Sequence, residues 1–118
     1  MKHICMALLS TLLLAACSLN GPDEAVIIND NSTVIDVRTE REYKDGHLKN
    51  AVNIPYDIIT DKIKAQVPDK EETIIVYCRS GRRSGIAKKN LDAMGYKNVI
   101  NAGGYKKLKQ QEQAKQTK

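Results

Sequence analysis

Thr73-Ile74-Ile75-Val76-Tyr77 runs directly into Cys78-Arg79-Ser80-Gly81-Arg82-Arg83-Ser84, and Ser84 opens a segment to Met94 that sets Ala87, Leu91 and Met94 on one helical face. A near-continuous β-branched and apolar run suits a strand buried on both faces. Followed by a loop and an amphipathic helix ending at Gly95, it predicts an α/β unit with the loop at the carboxyl end of a strand. Ligands bind at that end of such sheets, where the next helix offers unsatisfied N–H groups and the positive end of its dipole. Cys78 is therefore expected to ionise below its free value, because the helix start and nearby cations favour the thiolate. Arg79, Arg82 and Arg83 add permanent charge and planar donors suited to oxyanions, and the small Ser80 and Gly81 let the backbone curl. The stretch reads as a cradle for an anionic substrate with a sulfur nucleophile at its floor.

Outward from this unit, Val34 to Val37, Ala51 to Ile54 and Asn98 to Asn101 read as further short strands. Thr39-Glu40-Arg41-Glu42 has the form of a capping box, with Gly46 as the stop of a short helix. Asp57 to Val67 carries Ile59, Ile63 and Val67 on one stripe and predicts another helix. Gly103-Gly104 is expected to break the chain before a final basic helix, and Asp23 to Asn29 is ambiguous between helix and strand. Strand and helix alternate throughout, so the fold class is α/β: a small parallel sheet with helices on both faces.

The 118 residues suffice for one core. With no Trp or Phe and five Tyr, that core must be aliphatic. The net charge of +5 invites a nucleic-acid reading, but its placement argues against one. Acidic and basic residues cancel from Cys17 to Tyr105, while Lys106 to Lys118 holds five Lys and one Glu. Residues 109–118 are expected to form a basic, flexible tail with affinity for an anionic membrane surface.

Lys2 and His3, the apolar run from Ile4 to Leu14 and the closing Leu14-Ala15-Ala16-Cys17 form an address at the N-terminus. The apolar run falls short of the about 20 residues of a membrane-spanning helix but suits a signal peptide. Leu-Ala-Ala-Cys resembles the bacterial lipobox, which implies residues 1–16 as a lipoprotein signal, Cys17 as the lipidation site and 17–24 as a tether to a domain over 25–108. Leu-Ala-Ala also suits an ordinary signal peptidase, and the domain is exported on either reading. Ser18 after the cysteine, in the enteric sorting pattern, points to the outer membrane, with the domain facing the periplasm. Cys5 then leaves with the signal and Cys17 is acylated, so Cys78 stands without a disulfide partner.

Three stretches together resemble the rhodanese family, and closely its small single-domain periplasmic members. They are Val34-Ile35-Asp36-Val37-Arg38 with Glu42-Tyr43 and Gly46-His47-Leu48; Ala51-Val52-Asn53-Ile54-Pro55; and Val76 to Ser84 with Ala102-Gly103-Gly104-Tyr105. The resemblance implies a thiosulfate sulfurtransferase that carries sulfane sulfur as a persulfide on Cys78 and delivers it to cyanide or a small thiol. It implies that the backbone from Arg79 through Ser80, Gly81 and Arg82 to Arg83 cradles the persulfide and that Arg79, Arg82 and Arg83 hold thiosulfate. Asp36 is implied as a brace for this loop, through Arg38 and Arg83, with Arg38 also facing the substrate. His47 reads as structural.

Neither a cofactor nor a metal is implied, since one Cys and one structural His do not make a metal site. The expected state is a monomer. A phosphatase or arsenate reductase needs Arg at the sixth position after its cysteine, where this chain has Ser84. The remaining alternative is a persulfide-relay or binding module of the cell envelope with little thiosulfate activity, built on the same Cys78.

Overall fold

The computed structural model describes residues 26–116, in the order β1 (Thr33–Asp36), α1 (Glu40–Lys44), β2 (Val52–Asn53), α2 (Ile59–Gln66), β3 (Thr73–Cys78), α3 (Arg82–Ala93), β4 (Asn98–Gly104) and α4 (Tyr105–Gln116). The proposed signal peptide, tether and Cys17 lie outside these residues. The sheet is parallel throughout, in the order β2-β1-β3-β4. Val34 pairs with Ile75 and Asp36 with Tyr77, so the two central strands end side by side.

Alternation along β3 divides the core. Ile74, Val76 and Cys78 face a cluster with Ile35, Val37, Ile59, Ile63, Ala87 and Leu91, which seats α2 and α3. Ile75 and Tyr77 face the other cluster with Val34, Leu48, Ala51 and Leu108, against which Tyr43 of α1 also packs. The side chains are aliphatic and β-branched as the composition requires, and each fully buried Ile or Leu contributes about 1.5–3 kcal/mol. Cys78 therefore reaches the α3 side because it is two residues from Val76 on a strand of period two.

The capping box forms as expected: the Thr39 side chain accepts from the Glu42 N–H and the Glu42 carboxylate accepts from the Thr39 N–H. Elsewhere the boundaries move for local reasons. A turn from Pro55 to Ile58, closed by a 3.1 Å bond, delays α2 to Ile59. α3 starts at Arg82, ahead of the expected Ser84, because Gly81 takes the left-handed conformation at φ 100° and serves as its N-cap. That conformation suits glycine and no β-branched residue. Residues 26–29 form no regular element, while Val26 and Ile28 rest on the Tyr77 side of the core.

Two expectations are corrected at the C-terminal end. Gly103 and Gly104 do not interrupt the chain ahead of the helix; they are the last residues of β4, and α4 begins at once. Val76 pairs with Asn101 but Cys78 with Gly104, which places one extra residue on β4 as a bulge. Residues 109–116, expected to be a flexible tail, continue α4 and are tied to the loops beside them. Lys109 donates to the His47 carbonyl, Glu112 accepts from the Lys49 N–H, and Lys115 donates to the Ile28 carbonyl. Polar bonds hold this helix beyond Leu108, its one buried residue, which explains why apolar patterning did not announce it. No helix among the described residues is long and apolar enough to cross a membrane.

Candidate active site

Cys78 ends β3 with its side chain fully buried. The chain then turns back over the sulfur, so that the Gly81 N–H donates to Sγ at 2.9 Å and the Ser84 hydroxyl lies 3.4 Å from it. Burial pushes the thiol up, but the Ser84 hydroxyl and the N–H groups of Ser84, Gly81 and Ser80 outweigh it and leave the thiol below its ordinary value. Of the two sources that the sequence suggested, the helix start contributes and the arginine cluster is not among the leading causes. Hydrogen bonds from the turn and from the first turn of α3 favour the charged form.

The close turn depends on a second glycine. A Cβ on Gly104 would stand 2.6 Å from the Arg79 carbonyl oxygen, so the bulged end of β4 can back the loop only without a side chain there. Asn101, which the sequence reading did not single out, fills the gap between strand and loop. Its Nδ2 donates to the Gly81 carbonyl at 3.1 Å, while its Oδ1 accepts from the Gly103 N–H at 3.0 Å and from the Ser84 hydroxyl at 2.6 Å. An Asn set in a short strand just before two glycines is the signal that was available.

The arginines divide. Arg79, Ser80 and Arg82 are exposed, Gly81 is half-buried, and neither Arg79 nor Arg82 has an ion pair among the described residues. Arg83 is half-buried and forks onto Glu42 of α1, with bonds of 2.8 and 3.1 Å. The expected brace from Arg83 to Asp36 is therefore corrected: the partner is Glu42. Asp36 has no carboxylate oxygen to spare, since it receives the Arg38 N–H and guanidinium at 2.7–3.1 Å and the Tyr77 hydroxyl at 2.8 Å.

Arg38 is equally committed. It is 5% exposed, donates to the Gly46 carbonyl at 2.7 Å, and lies 4.3 Å from the centre of the Tyr105 ring. It borders a groove of about 460 Å³ with Glu42, Arg79, Tyr105, Lys106 and Lys109, but its Nε and Nη2 are spent on the fold. The substrate contact expected of it is therefore not free through those atoms. Burial pushes the Tyr77 phenol up, so it stays a neutral donor to Asp36 while accepting from the Leu48 N–H at 3.0 Å. His47 stacks on Tyr43 at 3.7 Å and meets the Tyr43 carbonyl through Nδ1, a structural placement.

The fork from Arg83 holds the Glu42 carboxyl at about 2, well under its ordinary 4.5. A depressed carboxyl stabilises the fold above its unfolded value and loses that contribution as pH falls through the folded one. Glu42→Gln is expected to destabilise the protein by about 1–3 kcal/mol at pH 7. The difference from the parent should close between pH 4.5 and about 2. Urea midpoints across that range check this, and a difference independent of pH would contradict it.

Fold and loop together define a small α/β domain built around one activated thiol at a strand end. Residues 23–111 match the rhodanese-like domain, and the chain belongs to the rhodanese family. It is 47% identical over 74 residues to the thiosulfate sulfurtransferase PspE of Escherichia coli, covering 63% of this chain and 71% of that one. Among solved structures, a rhodanese with anions from E. coli superposes with a TM-score of 0.62 at 47% identity, over 64% of this chain and 88% of that one. A rhodanese-like domain protein from Staphylococcus aureus does so with a TM-score of 0.58 at 31% identity, over 65% and 72%.

Proposed function

We propose that this chain is a thiosulfate sulfurtransferase that carries sulfur on Cys78. The observation that carries the reading is the Sγ at the floor of a turn whose N–H groups and Ser84 hydroxyl converge on it. The thiolate attacks the outer sulfur of thiosulfate; a Cys78 S–S bond forms, the sulfur–sulfur bond of thiosulfate breaks, and its electron pair leaves with sulfite. The persulfide is anionic at its outer sulfur, which on this reading the N–H groups of the turn hold. Cyanide then attacks that outer sulfur and leaves as thiocyanate, returning the thiolate, and a small thiol acts likewise as acceptor. This is covalent catalysis in two half-reactions.

Arg79 and Arg82, exposed at the mouth of the loop and without an ion pair among the described residues, are the groups that recruit thiosulfate. A charge-assisted hydrogen bond is worth about 1.5–3 kcal/mol, so each change to alanine is expected to raise the thiosulfate KM roughly ten- to hundredfold. Steady-state thiocyanate formation measures it. An unchanged thiosulfate dependence in the Arg79→Ala, Arg82→Ala double variant would favour a persulfide-relay module supplied by another donor.

The domain works, on this reading, in the cell envelope, held to the outer membrane through a lipidated Cys17 and facing the periplasm. The support is Leu14-Ala15-Ala16-Cys17 after a short apolar run. The full chain expressed in a bacterium should enter the detergent phase on partitioning, and Cys17→Ser the aqueous phase. A parent chain wholly in the aqueous phase would refute the anchor.

A further inference from the structure

We infer that Asn101 is a positioning residue that competes with the Cys78 sulfur for the single proton of the Ser84 hydroxyl, and so sets how strongly the thiolate is held. This rests on the reading of Cys78 as the sulfur carrier. A serine hydroxyl has one proton and two acceptor sites. Ser84 Oγ stands 2.6 Å from Asn101 Oδ1 and 3.4 Å from Cys78 Sγ, so it can donate to one of them at a time. The amide orientation is fixed from both sides: the Gly81 carbonyl demands the Nδ2 donor, and the Gly103 N–H demands the Oδ1 acceptor. The oxygen facing Ser84 is therefore an acceptor and can take its proton.

The consequence follows the charge on sulfur. With Cys78 a thiol, the hydroxyl donates to Asn101 and offers a lone pair to the S–H. With Cys78 a thiolate, the hydroxyl rotates and donates to S⁻, which costs the Ser84–Asn101 bond, while Asn101 Oδ1 keeps the Gly103 N–H. Once a persulfide forms, the inner sulfur is neutral and the proton returns to Asn101. The competition leaves the thiolate less stabilised than Ser84 alone would make it. A less stabilised thiolate is the stronger nucleophile, because nucleophilicity falls as the thiol becomes more acidic.

The charged groups near this network stay the same in every variant compared. Arg83 of α3 interacts with the Cys78 charge, Glu42 of α1 pairs with Arg83, and Arg38 from the β1 side also acts on Arg83. Arg79 and Arg82 flank the loop, Asp61, Lys62 and Lys64 of α2 are exposed, and β4 has no titratable residue. Asn101 is itself exposed, so its replacement leaves no core cavity.

The test is a double-variant cycle on the pH dependence of Cys78 alkylation by iodoacetamide, using Asn101→Ala, Ser84→Ala and both together in the full chain. With Ser84 present, Asn101→Ala is expected to raise the alkylation rate about twofold to fourfold at a pH below the midpoint, and to lower the plateau rate above it. With Ser84→Ala, the part of either change that runs through the serine should vanish, because the proton in dispute is gone. Loss of the Gly81 and Gly103 bonds acts in both backgrounds, so the difference between backgrounds isolates the path through serine. Equal effects of Asn101→Ala in both backgrounds, or a slower acid-limb rate that needs Ser84, would overturn the proposal. Failure of the sulfur-carrier reading would show separately, as no persulfide on the parent protein whatever its alkylation profile.

Discussion

Cys78→Ser is expected to lower thiosulfate:cyanide turnover to the uncatalysed rate while the domain stays folded. The side chain is fully buried, and the serine oxygen inherits a donor from the Gly81 N–H and a neighbour in the Ser84 hydroxyl, so the change leaves no unsatisfied group. Serine comes closest to cysteine in shape and keeps a polar atom beside the same donors but loses the chemistry, since an alcohol neither ionises near neutral pH nor holds a labile sulfur. Covalent transfer loses its carrier outright, an effect larger than the removal of any arginine. Turnover is measured as thiocyanate formed, with circular dichroism to verify the fold. Residual turnover in the serine variant, beyond what cysteine contamination supplies, would contradict the covalent route.

Asp36→Ala is expected to have the largest effect on stability, about 3–5 kcal/mol, out of a total of about 5–15 kcal/mol for a domain. Both members of the Asp36–Arg38 pair are buried, with side-chain exposures of 0% and 6%, and removing the carboxylate strands the guanidinium and the Tyr77 hydroxyl together. Breaking such a pair from one side costs far more than the pair is worth, because the surviving charge stays desolvated. A companion double variant, Asp36→Leu with Arg38→Met, removes both charges and should recover part of the loss, the remainder being the bonds that the Tyr77 hydroxyl and the Arg38 N–H made to the carboxylate. Urea unfolding measures both. A single variant that loses under about 1 kcal/mol would show that the pair does not organise the strand ends.

These two effects separate what was legible in the sequence from what was not. The β3 strand, the loop and α3 could be read because each is local: a buried run, a small-residue turn and an amphipathic stripe of Ala87 and Leu91 all lie within one stretch of chain. The Thr39–Glu42 capping box was legible for the same reason. Partners distant in sequence were not. Glu42 was visible as a capping residue and not as the anchor of Arg83, because that depends on how α1 and α3 approach each other across 41 residues. Asp36 was expected to brace the loop, and its saturation by Arg38 and Tyr77, which leaves Arg83 to Glu42, follows from the β1–β3 register and the approach of α1. Asn101 was hidden by the bulge, since a single extra residue on β4 decides which side chain meets the loop. The α4 helix beyond Leu108 was hidden because its support is hydrogen bonds to loops and not a buried stripe.

The glycines make the same point in reverse. Gly81 and Gly104 look alike in sequence and act differently in the fold: one supplies a left-handed cap, the other clears space for the Arg79 carbonyl. Neither role follows from composition, yet both are needed for the Cys78 sulfur to sit under converging donors. The activation of the thiol thus comes from the Ser84 hydroxyl together with the backbone N–H groups of the turn, while recruitment of thiosulfate is the role proposed for the exposed arginines.

The central claim is that Cys78 carries the sulfur, and intact-protein mass spectrometry with peptide mapping tests it most directly. Brief exposure of the purified chain to thiosulfate should add one sulfur atom, about 32 Da, on the peptide that contains Cys78, and cyanide should then remove it with release of thiocyanate. An unmodified Cys78 peptide under thiosulfate turnover, or the added sulfur found elsewhere in the chain, would contradict the account.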